Sequence, residues 1–103
     1  MPRTYSESFL IELHKSDPNQ AGTALALACV RANLPAKYVA AALEVSRQTM
    51  FSWFRGKPIR YNNLLRVETI TDLIESDTAK GILPAKSTAD ARTYIEGMIG
   101  RKI

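Results

Sequence analysis

The stretch Ala36–Lys57, AKYVAAALEVSRQTMFSWFRGK, decides the fold. Val39, Ala40 and Leu43 recur at the spacing of one helix face, and Met50 with Trp53 repeat that spacing further along. The segment EVS separates the two patterns. Ser46 suits a helix N-cap, because its hydroxyl can accept from backbone N–H groups two or three residues on. Gly56 and Pro58 close the second helix. Two short helices crossing over so brief a turn must approach closely, so the small side chain of Ala40 belongs at their meeting point and Val45 plugs the turn.

Working outward, Pro35 suits the first turn of the helix that follows it, and Asn33 suits the end of the helix before it. That earlier helix spans about Pro18 to Asn33, with Ala24, Leu25, Ala28, Cys29 and Ala32 on its inner side. Residues 1–16 supply a shorter N-terminal helix with Phe9, Leu10 and Leu13 on one side. On the other flank, NNLLRVETITDLIES predicts a helix from Asn62 whose broad apolar stripe is Leu64, Leu65, Val67, Ile70, Leu73 and Ile74, ended by Gly81. A last helix within 84–103, capped by Ser87 or Thr88, presents Ala91, Tyr94, Ile95, Met98 and Ile99. No strand alternation, internal repeat or linker is visible. The expectation is one all-α domain over 1–103, of about five to six helices, with its core in 18–80.

Composition bounds the function. The chain has 103 residues, 46% of them apolar and 23% charged, which is enough to bury a core and too apolar for disorder. Cys29 is the single cysteine and reads as a small core residue, so neither a disulfide nor a cysteine-based zinc site can form within the chain. His14 is the single histidine and reads as a surface residue. There is no glycine-rich phosphate loop, HExxH or GxSxG, and Glu68, Asp72, Glu75 and Asp77 read as a solvated helix side. We expect no enzyme activity, cofactor or metal. No apolar stretch approaches the roughly 20 residues of a membrane helix, and no signal-like opening is present, so the expected location is cytoplasmic. The net charge is +4, and its distribution says more than its size. Between Val45 and Val67 there is no acidic residue, whereas Arg47, Arg55, Lys57, Arg60 and Arg66 all lie there. Such a segment attracts phosphates.

The residues Ala40, Leu43, Val45, Ser46, Met50, Trp53 and Gly56 together resemble the helix-turn-helix pattern of phage repressors and Cro-like (Xre-type) regulators. The resemblance is close over the motif and looser over the helices on either side, and it leaves out the N- and C-terminal helices. It implies a lambda-repressor-like core and a transcriptional regulator, of phage or prophage type, that binds double-stranded DNA as a homodimer. Where that family usually has glycine this chain has Glu44, at a position that often adopts a left-handed backbone costing a non-glycine residue of order 1 kcal/mol.

At 100° per residue, Arg47, Gln48, Phe51, Ser52 and Arg55 share one face of the second helix, and Thr49, Met50 and Trp53 turn away. Arginine can pair with the N7 and O6 edge of guanine, glutamine with adenine, and an aromatic ring with a thymine methyl. The resemblance adds that Ser46, Arg47, Gln48 and Thr49, at the N-terminal end, reach base edges, with Ser52 next along the groove. It also implies phosphate contacts by Arg55, Lys57 and Arg60, and by Lys37 from the preceding helix. The alternative is a protein-interaction module, such as a host-factor modulator or small terminase-like packaging factor, gripping its partner through Phe51 and Phe54. Single-stranded or RNA binding is a third reading. If two copies pair, the C-terminal helix is the expected interface, because it looks surplus to one core.

Overall fold

The computed structural model describes residues 5–17 and 19–103. The expected helix start at Pro18 and the first four residues of the N-terminal segment lie outside these. Among the described residues there are six helices and no strand: α1 (Glu7–His14), α2 (Ala21–Ala32), α3 (Ala36–Leu43), α4 (Arg47–Phe54), α5 (Tyr61–Ala79) and α6 (Thr88–Ile99). None is long and apolar enough to cross a membrane. α5 ends at Ala79, just before Gly81 as expected, while α1 and α2 are shorter than the expected helices over 1–16 and Pro18 to Asn33.

Helix α2 is the hub. Leu25, Ala26, Ala28, Cys29 and Ala32 are buried, and α5 and α4 pack against it. Asn33 ends α2 in the left-handed conformation (φ 56°, ψ 43°), as its position suggested, and its amide donates to the Ala85 carbonyl at 2.8 Å. The Ala85 N–H in turn donates to the Ala32 carbonyl at 2.8 Å, tying the α5–α6 connection to the end of α2. Tyr5 is buried and donates its hydroxyl to the Leu34 carbonyl at 2.6 Å. Burial pushes the Cys29 thiol up to about 12, so this cysteine is inert packing.

The two outer helices differ from expectation in what they cover. α6 packs on α3, with Ala91 and Ile95 fully buried and Tyr94, Met98 and Ile99 partly buried against the same core. Its apolar face is thus turned into its own chain. On α5 only Val67, Thr71 and Ile74 are buried, whereas Leu65 and Leu73 are exposed. The apolar stripe read from the sequence is wider than the single helix, α2, that covers most of it. Asp77 is not on a solvated side: it is half-buried and accepts from the Tyr94 hydroxyl at 2.5 Å.

Thr23 on α2 is fully buried and its hydroxyl finds no hydrogen-bond partner among the described residues. Thr23→Val keeps the β-branched shape and removes the stranded hydroxyl, whose burial costs about 1–3 kcal/mol. A rise of several degrees in melting temperature is expected, at roughly 4–8 °C per kcal/mol for a domain near this size. A fall would show that the hydroxyl is satisfied, for instance by a trapped water.

Candidate nucleic-acid interface

The α3–turn–α4 unit forms because its buried residues meet across one small core: Val39, Ala40 and Leu43 from α3, Met50, Trp53 and Phe54 from α4. Glu44 ends α3 in the left-handed conformation (φ 59°, ψ 40°), the geometry for which glycine is usual. Its backbone N–H still donates to the Ala41 carbonyl, and the Val45 N–H to the Ala40 carbonyl at 3.0 Å, so both turn amides close back onto α3. Arg101 reaches back across it, with its guanidinium 3.6 Å from the Glu44 carboxylate and 3.5 Å from the Ala41 carbonyl. That pair is exposed and adds little stability, but it places a cation beside the carboxylate that immediately precedes the basic segment.

Ser46 caps α4: its hydroxyl accepts from the Thr49 N–H at 3.1 Å and donates to the Thr49 hydroxyl at 3.0 Å. Both hydroxyls are therefore engaged with one another, and their first role is to start the helix. At the other end, Gly56 turns the chain at φ 97° and the Lys57 N–H donates to the Ser52 carbonyl. This leads into residues 57–60, which have no regular secondary structure, and Arg60, with an extended backbone, is the N-cap of α5.

The structure brings Arg47, Gln48, Phe51, Ser52 and Arg55 together along one open concave surface. Arg47, Gln48 and Arg55 are exposed; Phe51 and Ser52 are half-buried. Lys57 and Arg60 follow from the same end of α4, both exposed. Lys37 is exposed in the first turn of α3, with its ammonium 5.1 Å from the Tyr38 ring centroid. Phe51 is less free than its helical phase suggested. Its ring meets Phe9 of α1 edge-on at 6.0 Å and Phe54 at 5.5 Å, and Phe9 stacks on Tyr5 at 5.3 Å. Phe54 is 2% exposed, so it is core and cannot anchor a partner.

Two features escaped the sequence reading. One is this aromatic cluster, by which α1 braces the face carrying the candidate site; the signal was Tyr5 and Phe9 four residues apart. The other is Gly22. A Cβ built there would lie 2.2 Å from the Trp53 carbonyl oxygen, so this glycine sets how closely α4 lies on α2. Chemically, the assembled surface offers two guanidinium forks, an amide, a hydroxyl and the edge of an aromatic ring, with no acidic group from Val45 to Val67. Such a set can hydrogen-bond base edges and neutralise phosphates. Comparison of the chain with protein-family models, curated proteins and solved structures finds no match to any of them.

Proposed function

We propose that the protein is a sequence-specific regulator of transcription that binds double-stranded DNA through α4. The observation that carries this reading is the convergence of Arg47, Gln48, Phe51, Ser52 and Arg55 on one open face of a capped helix, inside a segment free of acidic residues. An eight-residue helix standing out from a bonded turn has the shape to enter a major groove. Arg47 and Gln48, exposed on the first turn, read bases. Arg55, Lys57 and Arg60 hold phosphates on one side, and Lys37 holds them on the other. The resemblance to phage repressors and Cro-like regulators supports two copies acting together on two successive grooves. The test is selection from random duplex DNA by the purified chain at about 150 mM salt. A roughly palindromic motif is expected. Failure to enrich any sequence would overturn the reading in favour of a protein partner, for which Phe51 remains of the two aromatic anchors expected from the sequence, Phe54 being core.

A further inference from the structure

We propose that Phe9 of α1 is a positioning residue for DNA recognition: it holds the Phe51 ring at one place in the α4 face, where the open edge of that ring packs on a thymine methyl group. This rests on the reading of α4 as a DNA-binding helix and adds to it an element from outside the helix-turn-helix pattern. The Phe51 ring meets two others edge-on, Phe9 at 6.0 Å with an interplanar angle of 85° and Phe54 at 5.5 Å with 78°. Phe9 also lies 6.0 Å from Phe54, so the three rings form a triangle in which each neighbours the other two. At such separations and tilts aromatic rings attract one another beyond the area they bury. Phe54 is core and cannot yield. Phe9 is fixed in turn by Tyr5, stacked on it at 5.3 Å, whose buried hydroxyl donates to the Leu34 carbonyl just before α3. The N-terminal helix thus ties the start of α3 to the middle of α4.

Phe51 is half-buried, so part of its ring stays open, and it lines the α4 surface with Arg47 one helical turn before it and Arg55 one turn after. An apolar ring edge has no hydrogen bond to offer a phosphate or a base. In a major groove the one apolar group that unmodified bases present is the C5 methyl of thymine. Position decides whether that contact is made, because a gap of about 0.5–1 Å already forfeits a quarter to a half of the dispersion attraction between two groups. A ring held on two sides keeps its distance and has little rotamer freedom left to lose when DNA arrives. With a flexible side chain in place of Phe9, Phe51 can turn aside and the methyl contact is lost.

The experiment compares binding to the selected duplex with binding to copies in which one thymidine at a time is replaced by 2′-deoxyuridine, a change that removes only the methyl group. For the unaltered chain, one position is expected at which the replacement weakens binding about fourfold, the worth of one methyl-sized group taken out of water. Phe51→Ala abolishes that penalty. Phe9→Leu, and independently Phe9→Met, stay apolar at a half-buried site and keep a cooperative thermal melt. Each brings the penalty below about twofold, leaves binding to a scrambled duplex unchanged, and adds no further loss in a Phe51→Ala background. A penalty that survives both Phe9 substitutions overturns the proposal. Equal losses on the selected and scrambled duplexes, with the penalty intact, assign Phe9 to holding the fold and overturn it too. A chain that enriches no duplex removes the DNA reading and this inference with it, whereas an enriched duplex without any methyl penalty removes this inference alone.

Discussion

Gly22→Ala is expected to lower the stability of the fold by about 2–3 kcal/mol, and the melting temperature by roughly 10–20 °C. Helix propensity alone argues the other way, because alanine is favoured over glycine inside a helix by about 0.5–1 kcal/mol. The contact decides the sign. The new Cβ would meet the Trp53 carbonyl oxygen at 2.2 Å and the carbonyl carbon at 2.7 Å, both backbone atoms at the end of α4 that no rotamer change can move. That oxygen also accepts from the Gly56 N–H at 3.0 Å, so displacing it strains the turn that ends α4. Gly97 is the internal control: it lies inside α6 with nothing within 4 Å of an added Cβ. Gly97→Ala is expected to stabilise by about 0.5–1 kcal/mol. Thermal melts of the two variants followed by circular dichroism make the comparison. If both rise together, propensity governs and the close approach of α2 to α4 is not what holds α4 in place.

Gly22 also marks where the sequence stopped being legible. The caps and turns of the helical core were readable because they depend on neighbours in the chain: Ser46 on Thr49, Asn33 on the carbonyls before it, Glu44 on the turn it completes. The face composed of Arg47, Gln48, Phe51, Ser52 and Arg55 was readable for the same reason, since a helix fixes the relative direction of its own side chains. What lies across an interface depends on partners far along the chain. Phe51 and Phe54 look alike on paper, yet one is half-buried beneath Phe9 and the other is core, because α1 arrives from more than 40 residues away. The apolar groups of α5 and α6 misled for a related cause. Periodicity reports which side of a helix is apolar, but not whether the chain has enough other elements to cover it. α3 covers α6, whereas among the described residues none covers Tyr61 and Leu65.

Arg47→Ala and Arg55→Ala are expected to weaken DNA binding in different ways, and the difference tests how the site divides its work. A guanidinium donating to a guanine edge contributes only where that base is present. Arg47→Ala therefore reduces affinity for the selected duplex by about 1–3 kcal/mol, roughly 5- to 150-fold, and leaves a scrambled duplex nearly unaffected. A phosphate contact is the same on every sequence. Arg55→Ala or Lys57→Ala accordingly weakens both duplexes alike and makes the slope of log affinity against log salt shallower by about one, because one fewer counterion is released. For the unaltered chain, the proposed contacts to several phosphates lead to the expected result that affinity falls by orders of magnitude between about 50 and 200 mM salt. Titrations of the three variants on both duplexes at several salt concentrations separate the two modes. Equal losses on both duplexes for Arg47→Ala would remove it from base readout and leave it as one more phosphate contact. An unchanged salt slope for Arg55→Ala would place its guanidinium off the backbone, and the exposed cations after α4 would then have to steer the molecule from a distance.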